Sequence, residues 1–502
     1  MSASNRDLSG ECWYTECLSI IIFGASGDLA KKKTYPALFE LFLEEQLPKE
    51  RTVICGYARS KKTDEELREH LKPFLKGNED DINSFLSLCI YRYGGYDDEE
   101  AISAMSSAVT SSYSQENIKT ENRVFYFALP PTVFVATATS VKKSALTTSG
   151  FNRLIVEKPF GHDTESALQL SRDLGALYSE DHLYRIDHYL GKEIVQNMLA
   201  LRFSNMMFEP IWNREHIKSV TFTFKEDIGT QGRGGYFDKS GIIRDIMQNH
   251  LMQVLSLVAM EPPVRVAGTD DYSNYVRDEK VKLLKSIQPW TLENTVLGQY
   301  VANGKTPGYL DDPTVPEGSI CPTYAAVVMY IKNRRWDGVP FIMKAGKALN
   351  ERKAEVRIQF HKPPGSDFMF GCHEVLHNEL VMRLQPKEAI YVKTNVKEPG
   401  LHTNLITTEL DLSYHDRFVN LKNPSAYSRL LLEVLRGKQA TFVRDDELLA
   451  AWEIVTPLLK EIESKKVEPN LYKFGARGPK EADTLIKNAG YVYDSTYEWK
   501  QQ

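Results

Sequence analysis

Cysteine is scarce in this sequence and scattered through it. Six occur in 502 residues (Cys12, Cys17, Cys55, Cys89, Cys321 and Cys372), and no two form a CxxC pair. That spacing offers neither a disulfide framework nor a zinc site, and it fits a reducing compartment. A large excess of one charge is also missing. The net charge of -5 gives no basic surplus to attract nucleic acid or an anionic membrane surface. Long apolar runs are absent too. The first run, Leu18 to Phe23, is too short for a secretory signal or a membrane span, and no basic segment introduces one. These absences lead to the expectation of a cytoplasmic protein with no membrane and no nucleic-acid partner. No internal repeat or low-complexity tract is evident. What is present is ordinary: 42% hydrophobic and 26% charged residues supply ample core for roughly two to four soluble domains.

The polar residues 1–17 read as a flexible arm. The β-branched run Leu18–Phe23 then reads as a buried parallel strand. It ends in Gly24-Ala25-Ser26-Gly27-Asp28-Leu29, and a helix is expected to follow to about Gln46, with Pro36 as a kink. Strand, glycine-rich turn and helix form the context of a dinucleotide-binding turn. Glycine lets the backbone approach a pyrophosphate, and the helix start presents N–H groups. The spacing is GxxGxxA rather than GxGxxG, so a tight turn without a ligand stays open. Lys31, Lys32 and Lys33 read as solvated helix charges. A second strand, Thr52–Tyr57, ends in Ala58-Arg59-Ser60. NAD-preferring folds place an acid here for the ribose 2′-hydroxyl. Arg59 with Ser60 suits a 2′-phosphate instead, and so NADP; a plain surface arginine is the alternative.

Strand-like runs at 88–93, 124–129, 154–157 and 183–186 alternate with helical patterns at 63–76, 97–113, 132–149 and 163–178. This predicts a Rossmann-like doubly wound parallel sheet over residues 18–190. Its ligands would lie beyond the strand C-termini, where Ala128–Pro131 and Glu157-Lys158-Pro159 fall. Past residue 200 the rhythm changes. Runs at 218–225, 324–331, 355–361, 380–384, 390–393 and 407–412 predict a large, mainly antiparallel sheet with helices on one face. That gives an α+β domain over 191–502.

Nine residues, Arg185-Ile186-Asp187-His188-Tyr189-Leu190-Gly191-Lys192-Glu193, concentrate two cations, an imidazole, a phenol and two carboxylates. On a helix, Arg185, His188, Tyr189 and Lys192 would share one stripe, with Asp187 pointing elsewhere. Such a stripe suits a phosphate dianion, although a solvated, salt-bridged face is the commoner outcome of such clusters. Further on, Gly232-Arg233-Gly234-Gly235 reads as a flexible loop and 242–260 as a helix. On a regular α-helix Asp245 and His250 lie about 140° apart, so they need not touch.

The segments GASGDLAKKK, EKPFG, RIDHYLGKE, GRGGYFDKSGIIRDIMQNHL and KALNERKAEVRIQF, in this order, resemble the glucose-6-phosphate dehydrogenase family, and a eukaryotic, fungal-like member of it. The resemblance covers nearly the whole chain. It implies NADP-dependent oxidation of D-glucose 6-phosphate at C1 to the lactone, the first step of the pentose phosphate pathway. It makes His250 the general base, paired with Asp187. Imidazole titrates near pH ~6.5, close to the working pH. It gives Lys158 contacts to both cofactor and substrate. The 6-phosphate falls to His188, Tyr189 and Lys192, and sugar hydroxyls to Glu226, Asp245 and Lys158. Lys347, Arg352 and Gln385 complete the substrate pocket. No metal is expected. The resemblance also implies a homodimer or homotetramer.

Some family members hold a second, structural NADP. The matching residues are Lys353, Arg357, Arg383, Tyr391, Lys393, Asp411, Arg477, Tyr493 and Trp499. Lys344 stands where arginine is usual, and a lysine cannot make the same bidentate contact. A non-catalytic NADP-binding sensor on the same fold, and an enzyme for another sugar phosphate, are the alternatives.

Overall fold

Strand formation in the first half follows from β-branched and aromatic runs buried on both faces. The computed structural model describes residues 10–113, 120–264, 271–370, 375–419 and 421–493. These fall into two compact units. The first is Met1–Gly191 with Val264–Arg277 and Asn423–Leu449; the second is Lys192–Pro263, Asp278–Lys422 and Ala450–Gln502.

The first unit holds six strands: β1 (Cys17–Phe23), β2 (Thr52–Ala58), β3 (Cys89–Tyr93), β4 (Glu121–Phe127), β5 (Asn152–Glu157) and β6 (Leu183–Ile186). They pair in the order 3-2-1-4-5-6, all parallel. Every residue of β1, β2 and β4 is buried, which is why the sequence shows continuous apolar runs rather than alternation. Helix starts are set by side chains that accept from orphan N–H groups. Thr63 and Glu66 form a capping box, Asp98 accepts from Ala101 N–H, and Asp163 accepts from Ser166 N–H. Asn78 likewise caps Glu79–Ser87, a helix that the sequence reading missed.

Several expectations change here. The helix after β1 widens into a π-turn over Ala30–Thr34 before Tyr35–Leu43. Pro36 lies just past it and has no N–H to donate, so the ladder is already interrupted at this point. The arm is shorter than residues 1–17. Cys12–Thr15 is a helical turn, and Trp13, 1% exposed, belongs to the core beneath the sheet. The segment Asn423–Leu449 returns to this unit, which composition does not reveal. On its helix Ala426–Arg436, Leu430, Leu431, Val434 and Leu435 join the same core. Ser425 N–H donates to Glu40 at 3.0 Å.

The second unit carries one nine-stranded sheet. Its strands are β7 (Ile217–Lys225), β8 (Thr295–Val301), β9 (Tyr324–Tyr330), β10 (Pro340–Gly346), β11 (Lys353–Phe360), β12 (Glu379–Gln385), β13 (Ala389–Lys397), β14 (Leu405–Ser413) and β15 (Asn470–Lys473). They run in the order 14-13-12-11-7-10-9-8-15. Among the described residues, only the pairs β7–β10 and β8–β15 of these strands are parallel. β8, β10 and β15 escaped the sequence reading. Alternation sorts the faces. Val220, Phe222 and Phe224 of β7, with Phe341 and Met343 of β10, are buried on one face. Thr221, Thr223, Lys225 and Lys344 line a pocket on the other.

Candidate functional site

The first unit presents its candidate residues at the C-terminal ends of its strands, where a doubly wound sheet binds ligands. Gly24 leaves β1 with φ 82°, a left-handed conformation that favours glycine. A Cβ there would lie 2.3 Å from Ala128 O. Gly24 N–H donates to Tyr57 O at 2.8 Å, and Gly27 N–H closes the turn on Gly24 O at 2.9 Å. The result is a side-chain-free cradle opening onto a helix start through Ala25, Ser26, Asp28 and Leu29, and it fits a dinucleotide pyrophosphate. Asp28 is neutralised by Lys31 at 2.8 Å and Lys32 at 3.0 Å. These lysines hold its carboxyl down at about 2 and are not simply solvated. Arg59 and Ser60 are exposed at the end of β2.

The nine-residue motif is not one helix, so the proposed stripe does not form. Leu183–Ile186 is a strand, His188–Gly191 a 3-10 turn, and a new helix begins at Glu193. Arg185, 2% exposed, is a brace and not a ligand group. It pairs with Glu180 at 2.7 Å, and its carbonyl accepts Val443 N–H at 3.1 Å. Gln439 donates to the carbonyls of Glu180 and Leu183 at 2.9 and 3.1 Å and accepts from Arg277 at 3.0 Å. The two segments that return to this unit therefore fasten the strand that carries the motif.

Asp187 is buried, and its Oδ1 accepts Tyr189 N–H at 2.9 Å. The His188 ring stacks on Tyr427 (5.9 Å between centroids, 8° between planes) and meets the edge of Tyr189 at 5.0 Å. Tyr427 also hydrogen-bonds Glu157, and Tyr126 Oη donates to the same carboxylate at 2.5 Å. Burial pushes the Glu157 carboxyl up to about 7 against these bonds and Lys158. Lys158 follows it, half-buried, and the Lys158–Pro159 bond is cis. Tyr126 and Tyr427 had no motif to announce them.

In the second unit, Lys192 Nζ donates to Gln385 Oε1 at 3.1 Å. Lys347 pairs with Glu226 at 2.5 Å, lies 4.0 Å from Asp245 and sits 5.1 Å over the Phe237 ring. One cation is thus held against two carboxylates, a set able to bind sugar hydroxyls. Arg352 is exposed. His250, 2% exposed, lies in a π-helical stretch, Ile243–Leu251. An i→i+5 ladder brings residues five apart toward one face, so the 140° separation of Asp245 and His250 does not hold. The Gly232–Gly235 loop is pinned rather than flexible. Asp312 Oδ2 accepts from Thr230 Oγ1 at 2.8 Å and from Gly232 and Gly234 N–H at 3.1 Å each. Burial opposes ionisation of Asp312, but hydrogen bonds from Thr314, Thr230 and Gly234 hold its carboxyl down at about 2.

A cavity of about 410 Å³ on the polar face of the large sheet gathers most of the second candidate set: Lys344, Lys353, Arg357, Arg383, Tyr391 and Lys393, with Arg477 and Tyr493. The Arg477 guanidinium lies 4.4 Å over the Tyr493 ring. Asp411 is exposed on β14 and is not among the lining residues; Trp499 lies outside the described residues. Among the described residues, seven lysines and arginines line the cavity against three glutamates. Arg357 bridges two of these, Glu355 at 2.7 Å and Glu379 at 2.9 Å. Burial and the adjacent Lys225 push the Lys344 amine down to about 7. Thr221 Oγ1 and Glu355 Oε2 are buried with no partner among the described residues.

Two family models match the chain. One is described as glucose-6-phosphate dehydrogenase, NAD binding domain, over residues 21–197; the other as glucose-6-phosphate dehydrogenase, C-terminal domain, over 199–500. A glucose-6-phosphate 1-dehydrogenase of Dictyostelium discoideum is 52% identical over 485 residues, spanning 96% of both chains. A cytoplasmic isoform from Solanum tuberosum is 51% identical over 493 residues, covering 97% of this chain and 94% of its own. A solved glucose-6-phosphate dehydrogenase in complex with glucose 6-phosphate superposes with a TM-score of 0.90 at 47% identity, covering 96% of this chain and 99% of that one. The enzyme from Mycobacterium avium gives 0.82 at 30% identity, covering 97% and 100%. With a glycine cradle on the parallel sheet, a histidine on a π-helix beside the mainly antiparallel one, and matches that run nearly the length of the sequence, this chain belongs to the glucose-6-phosphate dehydrogenase family.

Proposed function

We propose that the chain oxidises D-glucose 6-phosphate at C1 to 6-phospho-D-glucono-1,5-lactone, using NADP. The observation that carries this reading is the near-full-length likeness, at 47% identity, to a structure solved with glucose 6-phosphate bound. NADP, when bound, accepts hydride from C1. The rest belongs to side chains. His250 takes the C1 hydroxyl proton, and the Asp187 carboxylate fixes its tautomer and stabilises the imidazolium. His188, Tyr189 and Lys192 grip the 6-phosphate, with Gln385 steadying the Lys192 amine. Lys347, held by Glu226 and near Asp245, orients the sugar, joined by Lys158 and Arg352. Gly24 to Leu29 cradle the pyrophosphate. Arg59, where an NAD enzyme would carry an acid, supports preference for the 2′-phosphate.

Nicotinamide reduction by the purified protein tests this directly. Turnover is expected with glucose 6-phosphate and NADP, and little with free glucose or with NAD. NADP binding with no turnover on any sugar phosphate would favour a sensor instead.

The cavity on the second sheet supports a further NADP site. Its surplus of cations suits a polyanion, and Tyr391 and Tyr493 offer faces for ring stacking. Equilibrium dialysis with Arg59→Ala is expected to retain one NADP per chain, and loss of all binding would end this reading. We read the protein as cytoplasmic, like the Solanum tuberosum isoform. Self-association is supported by Ile406 and Leu410, exposed on the edge strand β14.

A further inference from the structure

The loop after β3, Tyr93-Gly94-Gly95-Tyr96-Asp97-Asp98, has no part in the reading so far, yet the first unit builds it with care. Gly94 N–H donates to Ala58 O at 3.2 Å, and Tyr57 Oη donates to Gly95 O at 2.9 Å. Gly94 admits no side chain: a Cβ would lie 2.3 Å from Tyr57 Oη and 2.5 Å from Ala101 Cβ. Asp98 ends the loop by accepting Ala101 N–H at 3.0 Å. Thus tied, the loop turns Tyr96 back over the end of β2. The Arg59 guanidinium lies over its ring, 5.6 Å from the centroid, and the phenol interacts with both the side chain and the backbone of Arg59. Tyr91 on β3 does the same for the neighbour, donating to Ser60 O at 2.6 Å.

Arg59 is otherwise an exposed side chain with a full set of rotamers to lose on binding. A guanidinium carries five N–H donors, so one that spends a donor on a phenol still has others for a phosphate. Holding it in place before the ligand arrives removes part of the ordering cost of association. We propose that Tyr96 is a positioning residue for Arg59, and through it a determinant of preference for a 2′-phosphorylated dinucleotide over NAD. The inference rests on the reading that Arg59 meets the 2′-phosphate.

Calorimetric titration of the full chain with adenosine 2′,5′-bisphosphate and with AMP separates the two ideas. For the bisphosphate, the binding component read is the one that Arg59→Ala weakens. Tyr96→Leu is expected to weaken bisphosphate binding about tenfold and AMP binding less than about twofold. Tyr96→Phe, which keeps the ring, should stay within about threefold of wild type. In turnover, Tyr96→Leu should raise KM for NADP without a matching rise for NAD, a split that a purely structural role would not produce. Equal weakening of both probes, or of neither, overturns the role of Tyr96. If Arg59→Ala itself leaves bisphosphate binding unchanged, the Arg59 reading falls, and this inference falls with it.

Discussion

Replacing His250 with asparagine is expected to lower kcat by about 10²–10⁴-fold while glucose 6-phosphate binds within about threefold of its wild-type affinity. The asymmetry follows from where the work is done. Asparagine occupies much of the volume of imidazole, so the buried position (2% exposed) is filled rather than emptied, and the cavity cost of a truncation is largely avoided. What asparagine lacks is a nitrogen that titrates near neutral pH. The proposed phosphate grip lies on other residues, His188, Tyr189 and Lys192, which the change does not replace. A loss confined to the chemical step is the signature of an interaction made in the transition state. Rapid-mixing kinetics and equilibrium binding of the sugar phosphate check the two halves separately. A near-wild-type kcat would remove His250 from the role of base. A matching fall in binding would mean that the residue positions substrate instead.

The π-helix around His250 shows why part of this site was legible in the sequence and part was not. Residue types and their order carried the chemistry: a lysine at a strand end, an imidazole among carboxylates, glycines after a buried strand. The structure sets Lys158 just past β5, His250 in the π-helix and Gly24 just past β1. Angles between side chains did not transfer, because a periodicity argument assumes 3.6 residues per turn, and Ile243–Leu251 departs from it. The same assumption produced the stripe through Arg185, His188, Tyr189 and Lys192. The strand Leu183–Ile186 breaks that helix at its first residue, and Arg185 is spent on Glu180.

Long-range partnerships were the other blind spot. Tyr427 stacks on His188 across more than two hundred residues of sequence, and Asp312 pins a glycine loop far upstream of it. Neither has a local signal, since a tyrosine in an amphipathic helix and an aspartate in a loop are unremarkable by composition. The parallel sheet was readable because its strands are buried on both faces and announce themselves as apolar runs. β10, Pro340–Gly346, was missed because it opens on proline and carries a lysine just past its centre. That lysine lines the cavity that gathers most of the second candidate set, although its strand left no pattern in the sequence.

Glu157→Gln should remove a pH dependence of stability that the wild type carries. Glu157 is 6% exposed, and burial holds its carboxyl up at about 7, against bonds from Tyr126 and Tyr427 and the charge of Lys158. An unfolded chain returns it to about 4.3. Between those values the folded protein keeps a proton that the unfolded chain has released. Stability from this group is therefore complete below about pH 4.3, declines as pH rises toward 7, and changes no further above that. The span corresponds to on the order of 3 kcal/mol. Glutamine cannot titrate, and its amide oxygen can still accept from one tyrosine. Melting profiles from pH 5 to pH 8 should show the wild type losing several degrees relative to Glu157→Gln. Parallel profiles would mean that the carboxyl is ionised throughout. The consequence reaches the His188 ring through Tyr427, which touches both that ring and Glu157. A proton on Glu157 lets the carboxyl donate as well as accept, and so changes which group orients the tyrosine hydroxyl behind His188.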